Sequence, residues 1–159
     1  MTVGQLMNRI VETCNADDSL ATAAGKMWDH DIGCLPVMAA DGRVIGIVTD
    51  RDLCMAGYTQ GRPLAELPVR VAMSKNLYAC HPEDAVTEAE QAMRLHQVRR
   101  LPVVDAGGAL VGIVSLNDLA REAERQVGRK GRELTAQGVS ATLAAVCTPR
   151  NGRAVAMAV

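Results

Sequence analysis

Along this chain the hydrophobic positions follow two rhythms, one of β-branched runs and one of helical spacing, and the junction between them occurs twice. Val44-Ile45-Gly46-Ile47-Val48 is a short β-branched run that stops at Thr49, with Asp52 three residues further on. That is the pattern of a buried strand feeding directly into a capped helix. Leu110-Val111-Gly112-Ile113-Val114 stops in the same way at Ser115, with Asp118 three residues on, displaced by 66 positions. Two such stretches at a fixed offset predict a chain built from two copies of one unit.

The first copy can be read from the N-terminus. Val3, Leu6, Met7, Ile10 and Val11 have a partly helical spacing that turns extended near Val11-Glu12-Thr13. Asp17-Asp18-Ser19 offers helix caps, and Leu20, Ala23, Ala24, Met27 and Trp28 behind it line one helical face. Asp31-Ile32-Gly33 ends that helix, and Cys34-Leu35-Pro36-Val37-Met38 reads as a strand with Pro36 at an edge or a strand start. Asp41-Gly42 predicts a hairpin turn into Val44, and a second helix is expected from about Asp50 to Ala56.

The second copy follows the same order without a gap. Cys80 answers Cys14, Asp84 answers Asp18, and Val86, Ala89 and Met93 answer Leu20, Ala23 and Met27. Leu101-Pro102-Val103, Gly108 and Asp118-Leu119 answer Leu35-Pro36-Val37, Gly42 and Asp52-Leu53. The units are therefore placed at residues 3–57 and 69–122, joined by a linker at 58–68 that Gly57, Gly61, Pro63 and Pro68 mark. A helical turn is expected around Leu64 to Leu67. Residues 123–159 form a partly helical tail, with an amphipathic helix from Gln137 to Val146 through Val139, Leu143 and Val146, and no pattern from Arg150 to Val159.

Composition narrows what such a pair can be. The 159 residues are 48% hydrophobic, enough to bury a core, but there is no Phe and the aromatics are only Trp28, Tyr58 and Tyr78. The core must be aliphatic, with Met filling its gaps, and stacking platforms for single-stranded nucleic acid are few. The formal charge is −1 with both signs interspersed, which leaves no electrostatic footprint for nucleic acid or an anionic membrane. No apolar run reaches the length of a membrane span, and Thr2-Val3-Gly4-Gln5 after Met1 is not an export signal, so a cytoplasmic location is expected. The five cysteines include no C-x-x-C pair and read as reduced thiols. Cys80-His81 has no further Cys or His at ligand spacing, so no metal site is expected. No nucleophile-base set, paired carboxylates or phosphate-binding Gly-rich loop stands out, and an enzyme is not expected.

The ordered set Gly33-Cys34-Leu35-Pro36-Val37, Asp41-Gly42 and Gly46-Ile47-Val48-Thr49-Asp50-Arg51-Asp52, echoed in the second half, resembles the CBS domain, which occurs as a tandem pair called a Bateman module. The resemblance covers roughly residues 3 to 122. It implies an α+β fold in which two βαββα repeats pack sheet against sheet about a pseudo-two-fold axis and leave two clefts, here followed by a C-terminal helical tail. It further implies a regulatory ligand containing adenosine, such as AMP, ADP, ATP, S-adenosylmethionine or NAD, and no required cofactor. Carried over position by position, Asp52 and Asp118 hold ribose hydroxyls, and Thr49 and Ser115 contact phosphate or ribose. Backbone groups at Thr13-Cys14-Asn15 and Ala79-Cys80-His81, and around Cys34-Leu35-Pro36 and Arg100-Leu101-Pro102, take the base. Arg99 stands where the first unit has Gly33 and lies next to Arg100, so the second cleft is expected to be narrower or more basic and both arginines become candidate phosphate partners, with Arg51 a lesser candidate on the first side.

Each of these roles has a structural counterpart. Thr49-x-x-Asp52 and Ser115-x-x-Asp118 have the spacing of a helix capping box, Arg99-Arg100 is also a plausible solvated surface pair, and His30 and His96 sit where a helix dipole favours them. The function expected is a non-catalytic sensor that binds an adenine nucleotide, forms a homodimer and signals to a separate effector protein. A ligand-free dimerisation or interaction scaffold is the alternative, and a nucleic-acid-binding module a weaker one.

Overall fold

The computed structural model describes residues 1–128, 131 and 133–149. A short helix α1 (Val3–Leu6) precedes the first unit, which runs β1 (Cys14–Asn15), α2 (Leu20–Asp29), β2 (Cys34–Met38), β3 (Val44–Thr49) and α3 (Asp50–Gln60). In the second unit Cys80 bridges Val103 in parallel where β1 pairs β2 in the first, and α4 (Val86–His96), β4 (Arg100–Val104), β5 (Leu110–Ser115) and α5 (Leu116–Arg125) follow. The βαββα order is that expected. The registers match as well: Cys34 pairs Thr49 as Arg100 pairs Ser115, and each hairpin carries an irregularity after its Val37 or Val103.

Local chemistry accounts for the element ends. Ser19 Oγ accepts from Thr22 N–H at the start of α2, and Glu88 reaches back to the Ala85 N–H at the start of α4. Both helices are followed by a residue at φ +52, Asp31 and Gln97, which turns the chain into its next strand. Helix α3 runs four residues past its expected end. Gly57 is tolerated inside it, and the stop is Gly61, left-handed at φ +60, whose N–H bonds Gly57 O.

Arg43 bridges Ala109, the residue 66 positions further on. A residue that meets its own repeat counterpart lies on the pseudo-two-fold axis, which therefore passes between the two hairpins. Other pairs come in exchanged sets. Leu20 N–H bonds Leu67 O as Val86 N–H bonds Met1 O, and Val69 N–H bonds Asp18 O as Val3 N–H bonds Asp84 O. The segment before each unit thus packs on the other unit. Val3 and Met7 belong to the core built on Met93, Leu101 and Leu119, whereas Leu67 and Val69 belong to the core built on Leu20, Leu35 and Val48. The two single 3₁₀ turns of the connection, Leu64–Glu66 and Val69–Val71, lie on the first unit as part of this arrangement.

The tail adds α6 (Ala136–Cys147), which packs across α4 and α5. Thr135 caps it, and Leu134 just before it is fully buried. The helix forms where its periodicity places it, and Val139 packs on the second core as expected, but it also docks through Gly138 and Thr142, while Leu143 is 47% exposed. A polar cluster explains this face: Thr142 Oγ1 donates to Glu90 Oε1 at 2.7 Å, and Arg94 donates to Thr142 Oγ1 at 2.9 Å and to Glu90 Oε1 at 3.3 Å. The stretch from Arg150 to Val159 lies outside the described residues.

Candidate functional site

The strand-to-helix junctions place two carboxylates at equivalent points, one per unit. At the head of α3, Thr49 N–H and Thr49 Oγ1 donate to the same oxygen of Asp52, Oδ2, at 2.9 and 2.7 Å, and Asp52 N–H returns a bond to Thr49 Oγ1 at 3.2 Å. At the head of α5, Ser115 N–H and Oγ hold Asp118 Oδ2 at 2.8 and 2.5 Å, and Asp118 N–H bonds Ser115 Oγ at 3.3 Å. Both motifs are therefore complete capping boxes. The hydroxyls brace one carboxylate oxygen and leave the other outside the capping box.

Asp52 borders a shallow pocket walled by Met55, Ala56, Thr59, Val71 and Ala72. The segment supplying Val71 is held there because Ser74 N–H bonds Ile47 O and Ser74 Oγ accepts from Ile47 N–H. Gly46 makes this approach possible, since a Cβ on it would stand 2.9 Å from Ser74 O. The second unit repeats the arrangement with Asn8 paired to Ile113 across Gly112, where a Cβ would stand 2.9 Å from Asn8 O.

The two candidate arginines separate. Arg99 turns to the tail helix, with Nη2 3.6 Å from Cys147 Sγ. Arg100 crosses to the first unit, where a Cβ on Gly33 would lie 3.7 Å from Arg100 Nη2 and 3.1 Å from Asp50 Oδ2, so this arginine adds its charge to the first unit and not, as expected, to the second. This guanidinium therefore stands beside Gly33 and Cys34, at the end of the hairpin where Cys34 pairs Thr49. Arg51 is exposed on the first turn of α3.

Most backbone groups expected to meet a base are engaged internally. Cys80 N–H bonds Pro102 O and Cys80 O accepts from Val104 N–H, and the Cys14–Val37 pairing is the equivalent in the first unit. Asn15 N–H and His81 N–H bond Asp18 and Asp84 carboxylates, and His81 Nδ1 lies 2.9 Å from Val104 O. Thr13 O accepts from Lys26 Nζ at 2.7 Å, whereas Ala92 stands at the position of Lys26 in the second unit. Leu35, Pro36, Leu101 and Pro102 are buried in their sheets.

Burial pushes the Cys14 thiol up to about 11 and the Cys80 thiol up to about 12, with Asp18 and Asp84 acting in the same direction. Cys34 is likewise raised by burial, against a lowering influence from Arg100. These thiols stay protonated at neutral pH and are poor nucleophiles. His30 and His96 occupy matching places with different partners. His30 Nε2 lies 3.8 Å from Glu12 Oε1, and His96 stacks on Tyr78 with ring centroids 3.8 Å apart.

The model of the family described as CBS domain matches the chain twice, over residues 3–58 and 66–125. The chain belongs to the CBS domain family. It is a CBS domain pair, and its curated relatives include the CBS domain-containing protein YhcV of Bacillus subtilis, 39% identical over 119 residues that cover 75% of this chain and 83% of that protein. Hypoxic response protein 1 of Mycobacterium tuberculosis is 34% identical over 120 residues, covering 76% of this chain and 83% of that one.

Solved structures agree on the fold of this CBS pair. The CBS domain pair of protein MJ0100, in complex with 5′-methylthioadenosine and S-adenosylmethionine, matches with a TM-score of 0.71 at 24% identity, over 79% of this chain and 98% of that one. Hypoxic Response Protein I, described with two coordinated zinc ions, matches with a TM-score of 0.70 at 34% identity, over 76% of this chain and 98% of that one. Among the described residues of this CBS pair, no three His, Cys, Asp or Glu side chains gather as metal ligands, and no helix is long and apolar enough to cross a membrane.

Sequence reasoning did not single out Met55, Arg121 or Lys26. Arg121 was the accessible one, since a cation three residues after Asp118 lies on the same helical face.

Proposed function

We propose that this CBS pair is a non-catalytic sensor that binds an adenosine-containing nucleotide in its clefts, with the ribose hydroxyls donating to Asp52 and Asp118. The observation that carries the reading is the state of Asp52. Its Oδ2 accepts from both Thr49 N–H and Thr49 Oγ1, while Oδ1 meets no donor among the described residues and the residue itself borders the pocket. A fixed carboxylate with one oxygen open suits a vicinal diol, which brings two donors to it. Thr49 and Ser115 then act by orienting the carboxylates, and Arg100 supplies a cation for a phosphate. The MJ0100 complex with two adenosyl compounds supports the ligand class.

The ligand is AMP, ADP, ATP, S-adenosylmethionine or NAD, and the site of action is the cytoplasm. The output is an arrangement of the pair that a second copy and a separate effector protein read, and it shifts only as far as the nucleotide binds one arrangement better than another. Trp28 and Tyr58, 87% and 82% exposed, are large side chains on α2 and α3 that such a copy would cover.

Isothermal titration calorimetry with the five ligands, combined with melting temperatures of Asp52→Asn and Asp118→Asn, tests this. The expected result is affinity reduced at least tenfold with a small change in Tm. Lost stability with unchanged affinity would leave the carboxylates as helix caps alone, and no heat with any ligand would favour an interaction scaffold.

A further inference from the structure

Matching the two units by their 66-residue offset gives every cleft residue a counterpart, and the counterparts differ in charge at two decisive points. Three residues after the carboxylate stands Met55 in the first unit and Arg121 in the second. Arg121 Nη2 donates to Asp118 Oδ1 at 2.5 Å, and Ser115 already holds Oδ2, so both oxygens of Asp118 are engaged. Asp52 keeps Oδ1 open, because a methionine has nothing to donate. Across the groove the contrast runs the other way. Arg100 of the second unit reaches the first beside Gly33 and Asp50, two residues before Asp52. The counterpart of Arg100 is Cys34, a buried neutral thiol, and the counterpart of Asp50 is Leu116.

Resting on the nucleotide reading above, we propose that the two clefts are inequivalent. The cleft at Asp52 is the primary nucleotide site, and Arg121 is an internal competitor for the ribose hydroxyls in the cleft at Asp118. A ribose entering the first cleft finds an acceptor already fixed, with a cation nearby for the 5′ phosphate. One entering the second must displace a charge-assisted hydrogen bond and meets Cys34, not a cation, at the place of Arg100. Arg121 is 70% exposed, so its pair with Asp118 biases the site without sealing it. Removing an ion pair of that exposure changes affinity by roughly threefold to fivefold. Position 55 or 121 is thus a specificity-determining position for which cleft fills first.

Full-length protein with methyl-labelled methionine, titrated with adenosine and with AMP, tests the assignment by calorimetry and NMR together. The Met55 methyl resonance reports the first cleft directly. The expected result is a tighter class of sites that shifts the Met55 signal and a weaker class that does not. Arg121→Met should tighten the weaker class for adenosine threefold to fivefold and leave the tighter one unchanged. Met55→Arg should weaken the tighter class for adenosine, because it places the same donor three residues after Asp52. Both positions are solvent-exposed, so folding is not at stake. Two classes of equal affinity, a Met55 shift that follows the weaker class, or no response to Arg121→Met overturns the inequivalence while the nucleotide reading stands. No binding of either probe to wild type or Arg121→Met overturns the nucleotide reading, and this inference with it.

Discussion

Gly46 and Gly112 do at the residue scale what the whole arrangement needs. Each lies mid-strand, where glycine normally weakens a sheet, and each lets a foreign backbone approach within contact distance. A methyl group at either position has no room beside Ser74 O or Asn8 O, so Gly46→Ala and Gly112→Ala should each destabilise by about 1–3 kcal/mol through overpacking. Chemical denaturation measures this, and Gly25→Ala is the control, since nothing stands within 4 Å of its Cβ position. The buried thiols supply a second prediction at this scale. Cys80 ionises near its ordinary value of 9.0 in the unfolded chain but only at about 12 in the fold. Between those values the unfolded chain holds fewer protons, so stability present below pH 9 falls as pH rises through the window. The Tm gap between wild type and Cys80→Ala should therefore be wider at pH 8 than at pH 10.5, and a gap that does not narrow would refute the assignment.

Among the elements, α6 behaves unlike the rest, because it is held to α4 by hydrogen bonds where other helices use aliphatic contacts. Glu90 is 9% exposed and Thr142 is fully buried, and each satisfies the other. Thr142→Val keeps the shape but removes the donor to a buried carboxylate, which costs about 1–3 kcal/mol. Hydrogen exchange should show faster opening of residues 136–147 in that variant, with α2 and α3 unchanged; equal effects on both units would point to global destabilisation instead. This helix also marks where sequence reading stops. Its extent followed from periodicity, as did the strands, the hairpins and both capping boxes, because those features depend on neighbours within about four residues. Its buried face followed only in part, because Val139 packs on the second core as the apolar stripe suggests but Leu143 is exposed and the partner across the gap, Glu90 with Arg94, is polar. The divergence of Arg99 from Arg100 is of the same kind. Arg99 stands just before β4 and Arg100 opens it, and which of the two meets α6 and which meets Gly33 depends on distant chain. The capping boxes were legible as a pattern, whereas the oxygen left open on Asp52 and closed on Asp118 depended on the residue three positions further along each helix.

At the scale of the molecule, the exchanged segments decide how the pair can unfold. Each core lacks two of its fully or nearly buried residues unless the other unit's leading segment is in place: Val3 and Met7 complete one, Leu67 and Val69 the other. Burying side chains of this size stabilises by about 1.5–3 kcal/mol each. Separation of the units would expose all four and break the paired backbone bonds of Met1, Val3, Leu67 and Val69. That loss is comparable to the total stability of an ordinary small domain. Neither unit should then persist alone, and the pair should unfold in one cooperative step. Met27 and Met93, buried at equivalent places in the two cores, are matched reporters for this. In urea, their methyl resonances should lose native intensity at the same midpoint, and Leu67→Ala, which cuts only the first core, should lower both midpoints together. A Met93 midpoint that stays put while that of Met27 falls would show two independent domains, and would remove the mechanical basis for one cleft to influence the other.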